Sequence, residues 1–322
     1  RSYTRMAIDI SGSCNGMCPY CSTGRLNRRQ GSPVPGRHMT LHEFTSLLDD
    51  LTRRKILEPC SIIDLYNWHE PLMSPHFVAI AQYLSRSDFE YTVSTNASLA
   101  RAFHEADDLR GLTALIFSMP GFSQDSYDRV HGLSFPSVLD NIKSMLSNFR
   151  MHGFKGEAKI AFHVYQFNIG EIKPAKAFAE TLDLGFYPFF AIPAELDTCI
   201  DYNLGRLPAS MLDAFSRDLM LFYIKDLLRQ RPADYVCNQS RFLAVDEFGM
   251  LLLGCCADSH SRYAAETYVL GDIRKMSLDE IKLSKERAKS SETCRLCQES
   301  RSDYLGGICG KKLVDELGGI DI

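Results

Sequence analysis

Apolar and polar positions along the chain follow two periods, and the switches between them outline a fold. The stretch "TRMAIDIS" (4–11) is short and nearly continuously apolar, as in a strand buried on both faces. In "TLHEFTSLLDDLTRR" (40–54) the apolar residues recur every three or four positions behind Thr40, which predicts a capped helix. The same readings predict strands at 61–68, 89–96, 112–119, 157–167 and 186–193. Helices are expected at 75–86, 98–107, 134–149 and 169–184, the last despite Pro174. Six strands alternating with helices predict βα units around a parallel sheet. Periodicity does not separate an open sheet from a partial barrel. In both, working groups belong at the C-terminal ends of the strands.

The pattern changes after residue 205. "PASMLDAFSRDLMLFYIKDLLRQ" (208–230) reads as a long amphipathic helix, and short strands and loops follow it. "FLAVDEFGMLLLGC" (242–255) predicts two strands about a turn at 246–249, and "SLDEIKLSKERAK" (277–289) predicts a helix. The expected organisation is a first domain over 1–205, a linker helix over 206–235, and a small domain with a tail over 236–322. No internal repeat or low-complexity tract is visible.

Hydrophobic content of 45% and charged content of 24% fit an ordinary globular chain. No apolar run approaches the ~18 residues of a membrane span, and a net charge of −4 argues against a nucleic-acid groove. No signal peptide opens the chain, although Arg1 looks like a trimmed start. The expectation is a cytoplasmic protein acting on a small molecule, with no nucleic-acid or membrane partner.

The eleven cysteines change the picture more. Disulfide proteins are usually short and evenly paired, whereas this chain is long, periodic and odd in cysteine number. Three cysteines lie at 14–21 and six at 237–309, with Cys60 and Cys199 apart. Clustering of this kind suggests metal. "CNGMCPYC" holds Cys14, Cys18 and Cys21, spaced CxxxCxxC, in the loop after the first strand. Three thiolates on one short loop can hold three irons of a [4Fe–4S] cluster, leaving the fourth open to a small molecule. Structural zinc usually takes four ligands at two paired spacings, and no fourth ligand is near. In the second group, Cys237 and Cys255 bracket the predicted hairpin, and Cys294 and Cys297 form a CxxC. These four can converge on a second cubane, and by spacing alone zinc suits them equally.

The triplet, the first strand before it and the βα repeats after it resemble the radical S-adenosylmethionine (SAM) superfamily over residues 4–195. That resemblance implies a partial (β/α)6 TIM barrel, in α/β class terms, with the open iron chelating the amino and carboxylate groups of SAM. Reductive cleavage of SAM then gives a 5′-deoxyadenosyl radical that abstracts hydrogen from the substrate. Tyr20 matches the position that packs near the adenine. "NWHEP" (67–71) stands where relatives often have GGEP, so Glu70 is expected to receive the SAM amino group, with Trp68 and His69 replacing the glycines. "STN" (94–96), with Ser94 and Asn96, resembles a segment near the SAM ribose. "FSMPGFSQDSYDRVHG" (117–132), with Ser118, resembles the family's S-x-D-G stretch, with Pro120 in place of Asp, and Asn168 and Glu171 follow the fifth strand as in many relatives.

The later cysteines resemble the auxiliary-cluster domains of these enzymes, called SPASM with two clusters and twitch with one. The full SPASM pattern continues beyond the CxxC, but here Asp303 and Gly307 occupy its next positions. The resemblance therefore implies a twitch-like domain with one auxiliary [4Fe–4S] cluster on Cys237, Cys255, Cys294 and Cys297. Cys309 is left over. In a strand, neighbours point to opposite faces, so if Cys255 holds iron, Cys256 faces away and is a candidate hydrogen-atom donor to a substrate radical. A buried structural thiol is the alternative. A donor role favours an epimerase resembling the neomycin-type aminoglycoside epimerases. A dehydrogenase discharging electrons into the auxiliary cluster and a peptide epimerase remain alternatives. The chain opens almost at its first strand, without the leader-recognition domain many peptide-modifying relatives carry, which favours a small polar substrate. Glu195 and Asp197, after the sixth strand, suit an amine-rich sugar, and His69, His163 and Tyr165 are further candidates for the cavity. Flavodoxin or ferredoxin is the expected electron donor.

Overall fold

The computed structural model describes residues 1–104, 108–191, 193, 196–219, 241–254, 268–289 and 294. Glu195, Cys237, Cys255, Cys256, Cys297 and Cys309 lie outside the described residues, as does the expected linker helix beyond 219.

Six parallel strands form the frame: β1 (Tyr3–Ile8), β2 (Leu57–Asp64), β3 (Glu90–Thr95), β4 (Leu112–Met119), β5 (Glu157–Val164) and β6 (Gly185–Phe190). They lie side by side in sequence order, each paired in parallel with the next. The joining helices include α1 (Ser22–Gln30), α2 (Leu41–Arg53), α3 (Phe77–Ser85), α4 (Gln124–Arg129), α5 (Phe135–Met151) and α6 (Ile172–Thr181). Beyond β6 come α7 (Leu196–Asn203) and α8 (Ala209–Asp218). This is the parallel α/β architecture expected from the alternating pattern.

Alternation along β4 and β5 shows how the sheet is used. Leu115, Phe117 and Met119 are buried, as are Ile160, Phe162 and Val164, and they join a core with Phe44, Phe77, Val138, Ile142 and Phe149 from the helices. Burying one such side chain contributes about 1.5–3 kcal/mol. The intervening residues Ile116, Ser118, Ala161 and His163 are half-buried on the other face, and in-register pairing sets Ser118 beside Ala161 and His163 beside Phe189. That inner face is the concave side of the partial barrel.

Several elements differ from the pattern reading. Residues 98–104 form no helix. Phe103 is instead buried against Phe77 and Phe149, and the Asn148 amide pairs with both its N–H and its carbonyl, so tertiary contacts override the local period. β2 starts and ends four residues earlier than expected, which leaves Trp68 in the turn beyond it. α1, α4 and α7 are too short or too polar to show a clear period. Pro174 is accommodated because it falls in the first turn of α6, where a helix N–H has no intrahelical acceptor.

The hairpin at 242–255 is β7 (Leu243–Val245) and β8 (Met250–Leu252). The sequence assigns it to a separate domain, but β7 lies parallel to β1, with Ile8 opposite Val245, so the sheet runs on into it. β8 and then β9 (Val269–Asp272) continue the sheet antiparallel, and α9 (Leu278–Lys289) follows.

Candidate active site

The cysteine loop leaves the C-terminal end of β1, the mouth of the barrel. Cys21 caps α1, its Sγ accepting the Gly24 N–H at 3.2 Å. A Cβ on Gly16 would lie 3.5 Å from Cys14 Sγ and 3.4 Å from Cys18 Sγ, so the two sulfurs close around a residue without a side chain. Cys18 and Cys21 hydrogen-bond to each other, and that contact, with burial, pushes the Cys18 thiol well up. Burial pushes the Cys14 thiol up to about 12, with Glu70 adding to the effect. Three facing thiols in one cup fit three corners of an iron–sulfur cubane, and iron would displace their protons on binding.

Residues outside the triplet hold this loop. Asn27, fully buried on α1, donates to the carbonyls of Cys14 (2.7 Å) and Gly16 (2.8 Å) and accepts the Val34 N–H at 2.8 Å. The Arg28 guanidinium donates to the carbonyls of Met17, Arg129 and Val130, tying the loop to the end of α4. Asp9 accepts the successive N–H groups of Asn67, Trp68 and His69 at 3.1, 3.0 and 3.2 Å, so a carboxylate organises the turn that carries Glu70. Sequence reasoning passed over Asn27, Arg28 and Asp9. The available signal for Asp9 was a charged residue inside the apolar run "AIDIS".

Glu70 sits beside the loop and is buried. Its carboxylate accepts from Leu72 N (3.1 Å), Thr95 Oγ1 (2.7 Å) and Asn96 N (2.7 Å). Burial nevertheless raises its pKa to about 7. A carboxylate has about four acceptor positions, so one remains for a further donor such as an ammonium group. Ala97 takes the left-handed conformation (φ 55°), a strain of roughly 1–2 kcal/mol for a residue with a Cβ. The resulting turn directs the Asn96 N–H at Glu70, while Asn96 Nδ2 donates to Asn15 Oδ1 at 3.0 Å and lies 4.0 Å from Cys14 Sγ. Cys14, Glu70 and Asn96 are thus brought together from three strand ends.

Tyr20 is buried in an aromatic column. It stacks on Tyr165 with centroids 5.5 Å apart, meets Phe215 of α8 edge-on, and donates its hydroxyl to Asp218 at 2.6 Å. Burial and then Asp218 raise the Tyr20 pKa. Tyr165 stacks in turn on Phe167, so the structure groups Tyr165 with Tyr20. Asn168 is fully buried, and its amide is engaged with Tyr165 N, Pro120 O and His163 O, which shapes the chain beyond β5. Glu171 accepts from Phe122 N, Ser123 Oγ and Ser126 Oγ and anchors the start of α4.

On the inner face Ser118 Oγ lies 3.3 Å from His163 Nε2, and Ser94 is half-buried one pairing away. Burial lowers the His163 pKa to about 4, and burial followed by the charge of His163 lowers that of His131 to about 3, so both rings are neutral near pH 7. Two other candidates sit elsewhere. His69 is enclosed behind the cysteine loop, with Nε2 3.3 Å from Thr23 Oγ1 and Nδ1 3.5 Å from Asp9 Oδ2. Asp197, in the first turn of α7, is buried and accepts the Tyr268 hydroxyl at 2.6 Å. Tyr268 packs with Leu253, Ile200, Ala288 and Cys294.

A parallel βα barrel with three thiols at its mouth and a buried carboxylate beside them defines a cluster-binding barrel enzyme. The family model described as the radical SAM superfamily matches residues 8–171, just over half of the chain, and the protein belongs to that superfamily. Members of this superfamily use SAM and a SAM-binding [4Fe–4S] cluster. Native anSMEcpe with bound S-adenosylmethionine has a similar structure, with TM-score 0.54, 13% identity, and coverage of 98% of this chain and all of that one. SuiB of Streptococcus suis, bound to its precursor peptide SuiA, gives TM-score 0.58 at 11% identity, covering 93% of this chain and 71% of that one. At these identities the likeness concerns the fold. No curated protein sequence matches the chain. Among the described residues no helix is long and apolar enough to cross a membrane.

Proposed function

We propose that the protein is a radical SAM epimerase of a small polar substrate of the aminoglycoside type. In this reading Cys14, Cys18 and Cys21 hold the SAM-binding cluster, Glu70 takes the SAM ammonium, Tyr20 packs near the adenine, and Ser94, Asn96, Ser118 and Asn168 shape the surrounding wall. When bound, the cluster and SAM supply a 5′-deoxyadenosyl radical that removes a hydrogen atom from a carbinol carbon.

The observation that carries the reading is the cup of Cys14, Cys18 and Cys21 at the barrel mouth beside the buried Glu70 carboxylate. β7 runs parallel to β1, so its turn lies at the same end as the cysteine loop, and β8 returns towards the opposite end. Cys255 and Cys256 follow two and three residues after Leu253, a residue that packs with Cys294. The cysteine spacing and its resemblance to twitch domains add an auxiliary cluster on Cys237, Cys255, Cys294 and Cys297, with Cys256 as hydrogen-atom donor. Inversion needs a donor on the face opposite the abstraction: one hydrogen leaves one face and another arrives at the other. The Cys256 S–H gives its hydrogen atom to the carbon radical, and the remaining thiyl takes one electron from a flavodoxin- or ferredoxin-type donor and one proton from solvent. SAM is consumed, because deoxyadenosine keeps the abstracted hydrogen.

The test is turnover of candidate aminoglycosides in deuterated water. The expected result is one solvent deuterium at the inverted carbon with the wild type, and SAM cleavage without inversion with Cys256→Ala. A ketone product would favour the dehydrogenase alternative. Inversion undiminished in Cys256→Ala would remove the donor role. A peptide substrate is the second reading, since SuiB is seen with its precursor peptide and anSMEcpe with the Cp18Cys peptide. Epimerised peptide in place of sugar would establish it.

A further inference from the structure

We propose that Asp9, His69 and Glu247 form a binding site for a divalent transition-metal cation, separate from the cysteine triplet. The three residues come from three segments: the chain just beyond β1, the turn after β2, and the turn between β7 and β8. Their exposures are 3%, 7% and 1%, and one ligand atom from each lies within 4.8 Å of the other two. Metal–oxygen and metal–nitrogen bonds of about 2.0–2.2 Å place neighbouring ligands roughly 3–4 Å apart. A small closing movement therefore suffices to grip an ion.

The orientation of His69 is the second observation. Its Nε2 faces the Thr23 hydroxyl at 3.3 Å, and its Nδ1 faces the carboxylates, 3.5 Å from Asp9 Oδ2. Metal-binding imidazoles usually donate the opposite N–H to a fixed acceptor, and Thr23 Oγ1 can serve as one. Asp9 is oriented from behind by the Asn67, Trp68 and His69 N–H groups. The Glu247 carboxylate fills the space a side chain at Gly12 would occupy.

Charge points the same way. Asp246, also buried, adjoins the site. Three carboxyl groups therefore converge in the interior, where isolated negative charge is costly. Two carboxylates and one imidazole suit Mn2+, Fe2+ or Zn2+. An ion there would tie together Gly12 and Thr23, on either side of the cysteine loop, the Glu70 turn and the β7–β8 turn. The alternative is a protonated His69 in the same place.

The test is titration of cluster-loaded protein with Mn2+, which binds thiolates poorly, following the free-ion signal by electron paramagnetic resonance. The expected result is one Mn2+ taken up per chain, with affinity reduced at least roughly tenfold in His69→Gln and Glu247→Gln and unchanged in the surface control Asp128→Asn. Mn2+ should also raise the unfolding temperature of the wild type but not of Glu247→Gln. No uptake by the wild type would overturn the site and leave the protonated imidazole. Uptake equal in wild type and both variants would overturn the assignment to these residues.

Discussion

Glu70 concentrates the chemistry of the site in one carboxyl group. Its pKa near 7 means that the ionised form, which can receive an ammonium group, predominates only above that pH. SAM affinity of the ligand-free enzyme should therefore fall as pH drops through about 7, as equilibrium dialysis across pH 6–8 would show. Glu70→Gln keeps the shape but removes the charge, a loss of about 1.5–3 kcal/mol, or roughly ten- to hundredfold in SAM affinity. Iron content should be unchanged. Asn27 is the structural counterpart: Asn27→Ala removes three buried hydrogen bonds at once, about 2–3 kcal/mol in denaturant unfolding, and lowers the iron retained by the loop. At this scale the triplet was legible because metal ligands repeat at fixed spacing, whereas Glu70 was singled out only because NWHEP resembles the family's GGEP turn. Asp9 and Asn27 were not, because a lone polar residue in an apolar run acquires its meaning from partners far along the chain.

Among the elements, strands carried the clearest signal and short helices the weakest. β4 was placed residue for residue, since a largely apolar eight-residue run between turn signals has few competing interpretations. The segment 98–104 misled because its local period was helical while Asn148, Phe77 and Phe149 held Phe103 in a non-helical segment. α2 shows local and tertiary preferences agreeing: Thr40 and Glu43 form a reciprocal cap, and Phe44, Leu47, Leu48 and Leu51 are buried. Thr40→Ala should cost about 1 kcal/mol by thermal or denaturant unfolding. SAM cleavage should be unaffected, because α2 shapes the scaffold and not the mouth of the barrel.

Over the whole molecule, the parallel barrel and the C-terminal hairpin share one sheet, with β7 on the free edge of β1. The sequence suggests two bodies because its composition changes near residue 205; backbone pairing between β1 and β7 leaves no trace in composition. If Cys294 holds an auxiliary cluster, Cys294→Ala should lower iron from roughly eight to roughly four per chain, while SAM cleavage persists and inversion is lost. The triplet at the barrel mouth is expected to drive reductive cleavage of SAM. Its most direct measurement is 5′-deoxyadenosine formed anaerobically by the reduced, cluster-loaded protein. Product is expected from the wild type and none from Cys14→Ala, Cys18→Ala or Cys21→Ala. Equal product from these variants, or intact SAM with fully loaded wild type, would contradict it.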